Sequence, residues 1–222
     1  MVIPRGERHP SSFERISNRG SPRDLTLLVC PKAYKHYFMD LVQQLKLDGK
    51  VSVETVNSNN ELCLQVKETI EISQNANPHY RLFALLDGYN DYNQELDQNS
   101  QIIKAQKLVI EHNHENRKVF RLLVSNPSFY LWLLLHYKSL DFSAIPEDEW
   151  QDKVEKELSH SIANFKDANR QKELFALSYP HIETAIKNSQ QLQLIRAKKT
   201  TPSSDIHELM AYLHKLQRRY VR

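Results

Sequence analysis

The chain has 222 residues, with 30 Lys and Arg against 27 Asp and Glu, which gives a formal net charge of +3. A chain of this length builds one large domain or one domain with an appendage, since single cores usually extend over about 100–200 residues. Apolar residues make up 40% of the chain, which excludes the low-apolar, high-charge composition of disordered proteins. The net charge is too small to indicate nucleic-acid binding by itself.

The counts of glycine and cysteine exclude further classes of site. Four glycines, none close to another, cannot build a Walker A loop or a G-x-G-x-x-G turn. Two cysteines are too few for a disulfide framework or a four-cysteine zinc site, so a reducing, cytoplasmic setting is expected. Residues 1–20 lack the apolar core of a secretory signal, and no apolar run approaches the roughly 20 residues of a membrane span.

Three regions are predicted along the chain. Residues 1–23 are rich in Arg, Ser and Pro and are predicted to form a basic N-terminal arm. Residues 24–140 are predicted to form an α/β domain with a mostly parallel sheet covered on both faces, because buried-strand patterns alternate with helical ones. Residues 141–222 predict a helical C-terminal extension.

The elements of the α/β domain follow from local patterns. Strands are predicted at 25–29, 51–55, 80–86 and 119–124, and helices at 34–45, 58–70, 100–113 and 129–137. Gly49 is interpreted as the cap that ends the first helix. His112 and His114 are interpreted as part of a solvated helix end, because side chains two residues apart on a helix diverge and do not share a metal.

In an open parallel sheet, ligands bind outside the carboxyl ends of the strands. Residues 30–36, 87–91 and 125–130 are predicted to meet there. Asp87, at the end of a strand, is in a standard position for a Mg²⁺ ligand, because Mg²⁺ prefers oxygen ligands and usually takes one or two carboxylates. The alternative is that Asp87 belongs to a turn that simply ends the strand.

Residues 122–137 read Leu-Leu-Val-Ser-Asn-Pro-Ser-Phe-Tyr-Leu-Trp-Leu-Leu-Leu-His-Tyr. This segment closely resembles the signature of the RloB-like family, in which a strand ends in Ser-Asn-Pro-Cys-Phe-Glu-Leu-Trp-Leu-Leu-Leu-His-Phe. Residues 27–38, 83–90 and 185–209 are similar to further segments of the family in the same order, so the resemblance covers roughly residues 5–216.

The resemblance implies a Toprim-like fold with C-terminal helices, in a prokaryotic protein of phage-defence and abortive-infection loci. It also implies an ABC-type ATPase partner encoded nearby and a metal-dependent nuclease activity. Toprim chemistry uses a glutamate after the first strand and an Asp-x-Asp after a later one. These acids hold Mg²⁺, which polarises a phosphodiester.

Transferred to this sequence, the resemblance makes Asp87 a metal ligand and a catalytic candidate, with Asp91 as a second metal ligand if its loop bends back. Asn126 and His136 lie in the matching signature and are further catalytic candidates. For Asn126 the alternative is a residue that shapes the turn, and for His136 it is a packed histidine.

Three acidic positions of the family pattern are not acidic in this chain, where Pro31, Tyr89 and Tyr130 stand. Their loss removes most of the negative charge that would hold a dication. The sequence therefore favours a degenerate Toprim-like protein that binds a partner ATPase or nucleic acid. A divergent Mg²⁺-dependent nuclease and a structural subunit of a defence assembly are the alternatives.

Basic residues are less evenly spread than the net charge indicates. Together with the N-terminal arm they form a candidate surface for nucleic-acid phosphates, with Tyr34 or Tyr220 available to stack on bases. The candidate contacts are Lys32, Lys35, Lys198, Lys199, Arg218 and Arg219. The alternative is that these charges are spread over solvated faces.

Overall fold

The computed structural model describes residues 25–75, 80–87, 101–116, 120–196 and 202–220. The predicted N-terminal arm, Asp91, Lys198 and Lys199 lie outside the described residues. Within those ranges, no helix combines the length and the apolar character needed to cross a membrane.

Five described strands form one sheet in the order β2-β1-β3-β4-β5. The first four are parallel, and β5 is antiparallel to β4. The strands are β1 (Leu25–Pro31), β2 (Val51–Val56), β3 (Tyr80–Asp87), β4 (Phe120–Asn126) and β5 (Ser203–Ser204). The predicted mostly parallel α/β sheet is confirmed. Strand β5 has no counterpart among the predicted strands, because two residues carry no periodic pattern.

Nine α-helices lie within the described ranges. They are α1 (Lys35–Gln44), α2 (Asn59–Asn75), α3 (Gln101–Asn116), α4 (Phe129–Leu135), α5 (Trp150–Ser161), α6 (Ala168–Gln171), α7 (Leu174–Ser178), α8 (Ile182–Arg196) and α9 (Ile206–Tyr220). Short 3₁₀ turns at Lys32–Tyr34, Glu147–Glu149 and Tyr179–His181 precede α1, α5 and α8. The predicted helical C-terminus is confirmed.

Helix α1 ends in a Schellman motif. The Leu47 N–H donates to the Val42 carbonyl at 3.0 Å, and the Lys46 N–H donates to the Gln43 carbonyl at 2.9 Å. Lys46 itself takes the left-handed conformation, with φ 55°. The predicted cap at Gly49 is therefore wrong, because the helix has already ended when Gly49, with φ 72°, turns the chain towards β2.

Helices cover both faces of the sheet because side chains alternate along each buried strand. Leu28, Phe83 and Leu123 point to the first face, where they pack with α1, α4 and the C-terminal helices. Leu27 and Leu82 point to the second face, which α2 and α3 cover.

The C-terminal helices complete the first face of the sheet. On α9, the Tyr212 ring lies 4.8 Å from the Phe83 ring of β3, and its hydroxyl is 2.6 Å from the Thr26 hydroxyl of β1. Buried apolar residues between 28 and 135 and between 142 and 216 form one continuous cluster. The domain boundary at 140 stays a prediction, and the parts on either side of it share this core.

Two residues, Asn113 and Asp205, form hydrogen bonds with the backbone groups on the outer edge of β4, one near each end of the strand. Asn113 of α3 donates to the Phe120 carbonyl at 2.7 Å and accepts the Phe120 N–H at 2.9 Å. The Asp205 carboxylate accepts the Val124 N–H at 3.0 Å, and the Asp205 N–H donates to the Val124 carbonyl at 2.9 Å. These side chains supply pairing that a neighbouring strand would otherwise give.

His112 lies one residue before Asn113, near the end of α3. Its side chain is buried, and its ring stacks on Phe120 with centroids 4.5 Å apart. The predicted solvated helix end is therefore wrong for His112, whose ring belongs to the second face of the core.

Candidate functional site

The carboxyl ends of β1 and β3 form a crevice of the kind that binds ligands in α/β proteins. From these neighbouring strands the sheet continues in opposite directions, from β1 to β2 and from β3 to β4. Asp87 is the last residue of β3, and Pro31 is the last residue of β1. The Lys32–Tyr34 turn brings the Tyr34 side chain to the same place. The start of α4 brings the Phe129 ring and the Phe129 backbone N–H.

Both carboxylate oxygens of Asp87 accept hydrogen bonds. The Tyr34 hydroxyl donates to Oδ2 at 2.5 Å, and the Phe129 backbone N–H donates to Oδ1 at 3.2 Å. Phe129 is the first residue of α4, and the side chain of the preceding Ser128 makes no capping bond. Asp87 therefore caps α4 from a neighbouring strand, satisfying one of the N–H groups that have no partner within a helix.

Aromatic rings surround this carboxylate. Tyr34 and Phe129 are buried and stack with centroids 4.2 Å apart, and Tyr130 approaches Tyr34 edge-on at 6.3 Å. Burial raises the pKa of Asp87 to about 6, although the bonds from Tyr34 and Phe129 each lower it. Burial and the Asp87 charge raise the pKa of Tyr34 well above its ordinary value, so Tyr34 remains a hydrogen-bond donor.

Mg²⁺ does not fit the described residues at this crevice. The dication requires a nearly complete shell of oxygen ligands and a concentration of negative charge. Asp87 is the described carboxylate at the crevice, its two oxygens accept hydrogen bonds from a hydroxyl and an amide, and its burial disfavours the charged form. Across the described ranges, no three or more His, Cys, Asp or Glu side chains come together to hold a metal ion.

The end of β1 offers no nucleophile beside Asp87. The Cys30 side chain is buried, and burial raises the pKa of its thiol to about 12. A thiol with this pKa stays protonated at neutral pH and is a poor nucleophile. Pro31 follows it at the position where the family pattern has a glutamate.

Asn126 ends β4, and its backbone pairs with Ser203 of β5. Its neighbour Ser125 is the residue that pairs with Asp87 across the sheet. Since side chains alternate along a strand, Ser125 shares the face of Asp87, and Asn126 points to the opposite face. The sheet therefore separates the Asn126 and Asp87 side chains, although both stand at the carboxyl ends of neighbouring strands.

His136 is buried below the crevice, at the end of α4. Its Nδ1 lies 2.9 Å from the Trp132 carbonyl, and its Nε2 lies 3.4 Å from the Tyr37 hydroxyl. A carbonyl only accepts, so Nδ1 carries the proton and Nε2 is the acceptor. Burial lowers the pKa of His136 to about 4, so the ring is neutral at pH 7. This is the arrangement of a packed histidine with both nitrogens engaged.

The predicted basic contacts are divided between two ends of the sheet. Lys32 and Lys35 are exposed beside the carboxyl end of β1. Arg218 and Arg219 lie in the last turn of α9, which runs away from β5 across the sheet towards the amino ends of the strands. The structure therefore does not unite these four cations in one patch.

Tyr34 and Phe129, which lie in segments predicted to meet at the strand ends, define the geometry of the crevice, although sequence reasoning did not predict that either binds Asp87. Tyr34 was a candidate for base stacking, but its buried ring lies on Phe129 and its hydroxyl binds Asp87. The helical spacing of Tyr34 with Tyr37 and Phe38 marked it as buried, and its place directly after a strand end was the available signal for a role beside Asp87.

A family model described as RloB-like protein matches residues 29–213 of the chain. This range extends from β1 into α9 and includes Asp87, Asn126 and His136. No curated protein and no solved structure matches the chain.

Proposed function

Because the chain belongs to the RloB-like protein family, we propose that it acts in prokaryotic phage defence by binding and not by hydrolysis. Its Toprim-like site is degenerate in this proposal. In this proposal the protein is cytoplasmic and binds an ATPase partner encoded nearby or a nucleic acid.

The observation that carries this proposal is the structural use of Asp87. In a hydrolytic site, the oxygens of this carboxylate would be directed at a metal ion. Here it caps α4, accepts the Tyr34 hydroxyl and has a pKa raised to about 6. These contacts hold β3 and α4 together, which is a structural role that does not require catalysis.

Tyr130 supports the same conclusion. It stands where the family signature has a glutamate, and its ring packs edge-on against Phe165 with centroids 4.8 Å apart. Its hydroxyl pKa is raised, with burial as the largest cause, so the side chain carries no negative charge at pH 7. An aromatic contact between α4 and the turn that follows α5 stands where the family signature has the acid.

A cleavage assay tests the proposal. The purified full chain is incubated with total tRNA, single-stranded DNA and duplex DNA, each with Mg²⁺ or Mn²⁺, beside the Asp87→Ala variant. Asp148→Ala, which removes an exposed carboxylate from the Glu147–Glu149 turn, is the matched control. We expect no metal-dependent cleavage by any of the three proteins.

Cleavage that requires metal, persists in Asp148→Ala and disappears in Asp87→Ala would overturn the proposal. It would establish the alternative, a divergent Mg²⁺-dependent nuclease in which other acids, such as Asp91, complete the site. The same assay with the co-encoded ATPase present separates a silent nuclease from a binding protein. If no cleavage occurs in the presence of the ATPase, co-elution of the two proteins from a sizing column supports the proposal that this protein binds the ATPase. Failure to bind either the ATPase or nucleic acid would favour the structural-subunit alternative.

A further inference from the structure

A small basic groove lies at the amino ends of the strands, opposite the crevice that holds Asp87. It is a cavity of about 60 Å³ between the start of β3 and the last turns of α9. The residues that line this amino-edge groove are Arg81, Tyr212, Lys215, Leu216 and Arg219. Three of the five are cations, and none of these described lining residues is acidic.

The fold holds this groove in shape. Tyr212 is anchored on both sides, because its ring packs on Phe83 and its hydroxyl bonds to Thr26. The Arg81 guanidinium lies over the Tyr212 ring at 5.4 Å. Lys215 and Arg219 are four residues apart on α9, so they share one face of the helix. The groove therefore brings together side chains from β3 and α9 on a rigid base.

A second cation–aromatic pair extends the groove along α9. The Lys50 ammonium lies 4.1 Å from the centre of the Tyr220 ring, which is 39% exposed. From Tyr212 to Tyr220 the helix rises about 12 Å, at about 1.5 Å per residue. Cations and aromatic rings at this spacing are the components of surfaces that bind nucleic-acid strands.

Two of the three cations of the groove, Arg81 and Lys215, lie outside the described ion pairs. Arg81, Lys215 and Lys50 form no ion pair with the described residues, whose ion pairs use other cations on α2, β4, α5, α6 and the loops. Cations outside ion pairs attract an anion, and a nucleic-acid strand releases condensed counterions when such cations neutralise its phosphates.

We propose that the amino-edge groove binds the phosphate backbone of a nucleic-acid strand. This inference rests on the nucleic-acid branch of the proposed function and locates the surface that serves it. The groove holds a few water-sized oxygens and is too small for a base, so recognition is through phosphates and is independent of sequence. Nucleic acid is favoured over an acidic protein because the Lys50–Tyr220 pair extends the cationic and aromatic surface along α9, as on surfaces that bind nucleic-acid strands.

Fluorescence anisotropy with labelled 20-nucleotide single strands of DNA and RNA tests this inference on the full chain. The variant combines Arg81→Gln, Lys215→Gln and Arg219→Gln. The matched control combines Lys156→Gln, Lys172→Gln and Lys187→Gln, which removes the same charge from exposed positions outside the groove. Circular dichroism checks that both are folded. Lys215→Glu, at an exposed position, is a second variant that keeps the contact between Arg81 and Tyr212.

We expect the groove variant to lose about tenfold or more in affinity, and its salt slope of log K to fall by about 2, at about 0.7 per phosphate contact. Lys215→Glu is expected to weaken binding in the same direction, and the control to bind nearly as wild type. Equal losses in the groove variant and the control would overturn the inference, since binding would then follow net charge.

Two further outcomes separate this inference from the proposed function. If Lys32→Gln with Lys35→Gln abolishes binding and the groove variant does not, the surface lies at the carboxyl edge and the groove inference is wrong. If no nucleic acid binds while the ATPase partner does, the groove inference fails and the proposed binding function stands. Metal-dependent cleavage that requires Asp87, with strand binding still lost in the groove variant, overturns the proposed function and supports the groove.

Discussion

The Asp87→Asn substitution removes a carboxylate charge and keeps a side chain of nearly the same shape. Burial raises the pKa of Asp87 from 3.8 to about 6, so between these values the folded protein holds a proton that the unfolded chain releases. Stability from the protonated group is fully present below the unfolded pKa and is lost as the pH rises through the folded one. Two pKa units correspond to about 3 kcal/mol.

We expect the free energy of unfolding of the wild type, measured relative to Asp87→Asn, to fall by about 2–3 kcal/mol between pH 4 and pH 7. The wild type is compared with Asp87→Asn because His136 is present in both proteins and makes the free energy of unfolding rise with pH, which is opposite to the effect of Asp87. Urea titrations followed by the fluorescence of buried Trp132 and Trp150 give both values.

Asp148→Asn, which neutralises an exposed carboxylate, is the control, and its pH profile is expected to run parallel to that of the wild type. If the wild type and Asp87→Asn also run parallel, the reasoning is refuted. Asp87 would then have an ordinary pKa in the folded protein, and its enclosure by Tyr34 and Phe129 could not be correct.

Three further measurements probe Tyr34 beside Asp87, the buried His136 and the edge of β4. Tyr34→Phe removes a donor that lowers the pKa of Asp87, so we expect this pKa to rise further and the free energy of unfolding at pH 7 to fall by about 1.5–3 kcal/mol in urea titrations. In NMR titrations, the His136 ring is expected to stay neutral down to about pH 4, and a midpoint near 6.5 would contradict its burial. Asn113→Ala removes two bonds to Phe120 and is expected to lower the free energy of unfolding by about 1–3 kcal/mol, whereas a loss below about 0.5 kcal/mol would mean that water replaces the amide.

The sheet could be predicted from the sequence because its strands are local signals. Leu25–Pro31 and Tyr80–Asp87 are nearly continuous apolar runs, as expected for parallel strands buried on both faces. The place of Asp87 at a strand end followed directly from this pattern. Strand β5 did not, because Ser203 and Ser204 become a strand only through pairing with β4.

The chemistry of the crevice depends on contacts between residues that are distant in sequence. Tyr34 is 53 residues from Asp87, and Phe129 is 42 residues from it. The alternation of side chains within each strand could be seen in the sequence. That Asp87 and Asn126 lie on opposite faces of the sheet follows only from the register, which pairs Asp87 with Ser125. The path of α9 also needs the folded structure, which is why the basic groove with Arg81 could not be predicted.

The side chains that pair with the edge of β4 have a consequence for the chain in concentrated solution. An edge strand with open N–H and C=O groups is a template on which a second molecule can add a strand, and repeated addition produces fibres. At Phe120 and Val124 those groups are already occupied by Asn113 and Asp205, which are covalently tethered and cannot diffuse away. An incoming strand would have to displace both tethered groups before it could form a ladder, so the sheet terminates within one molecule.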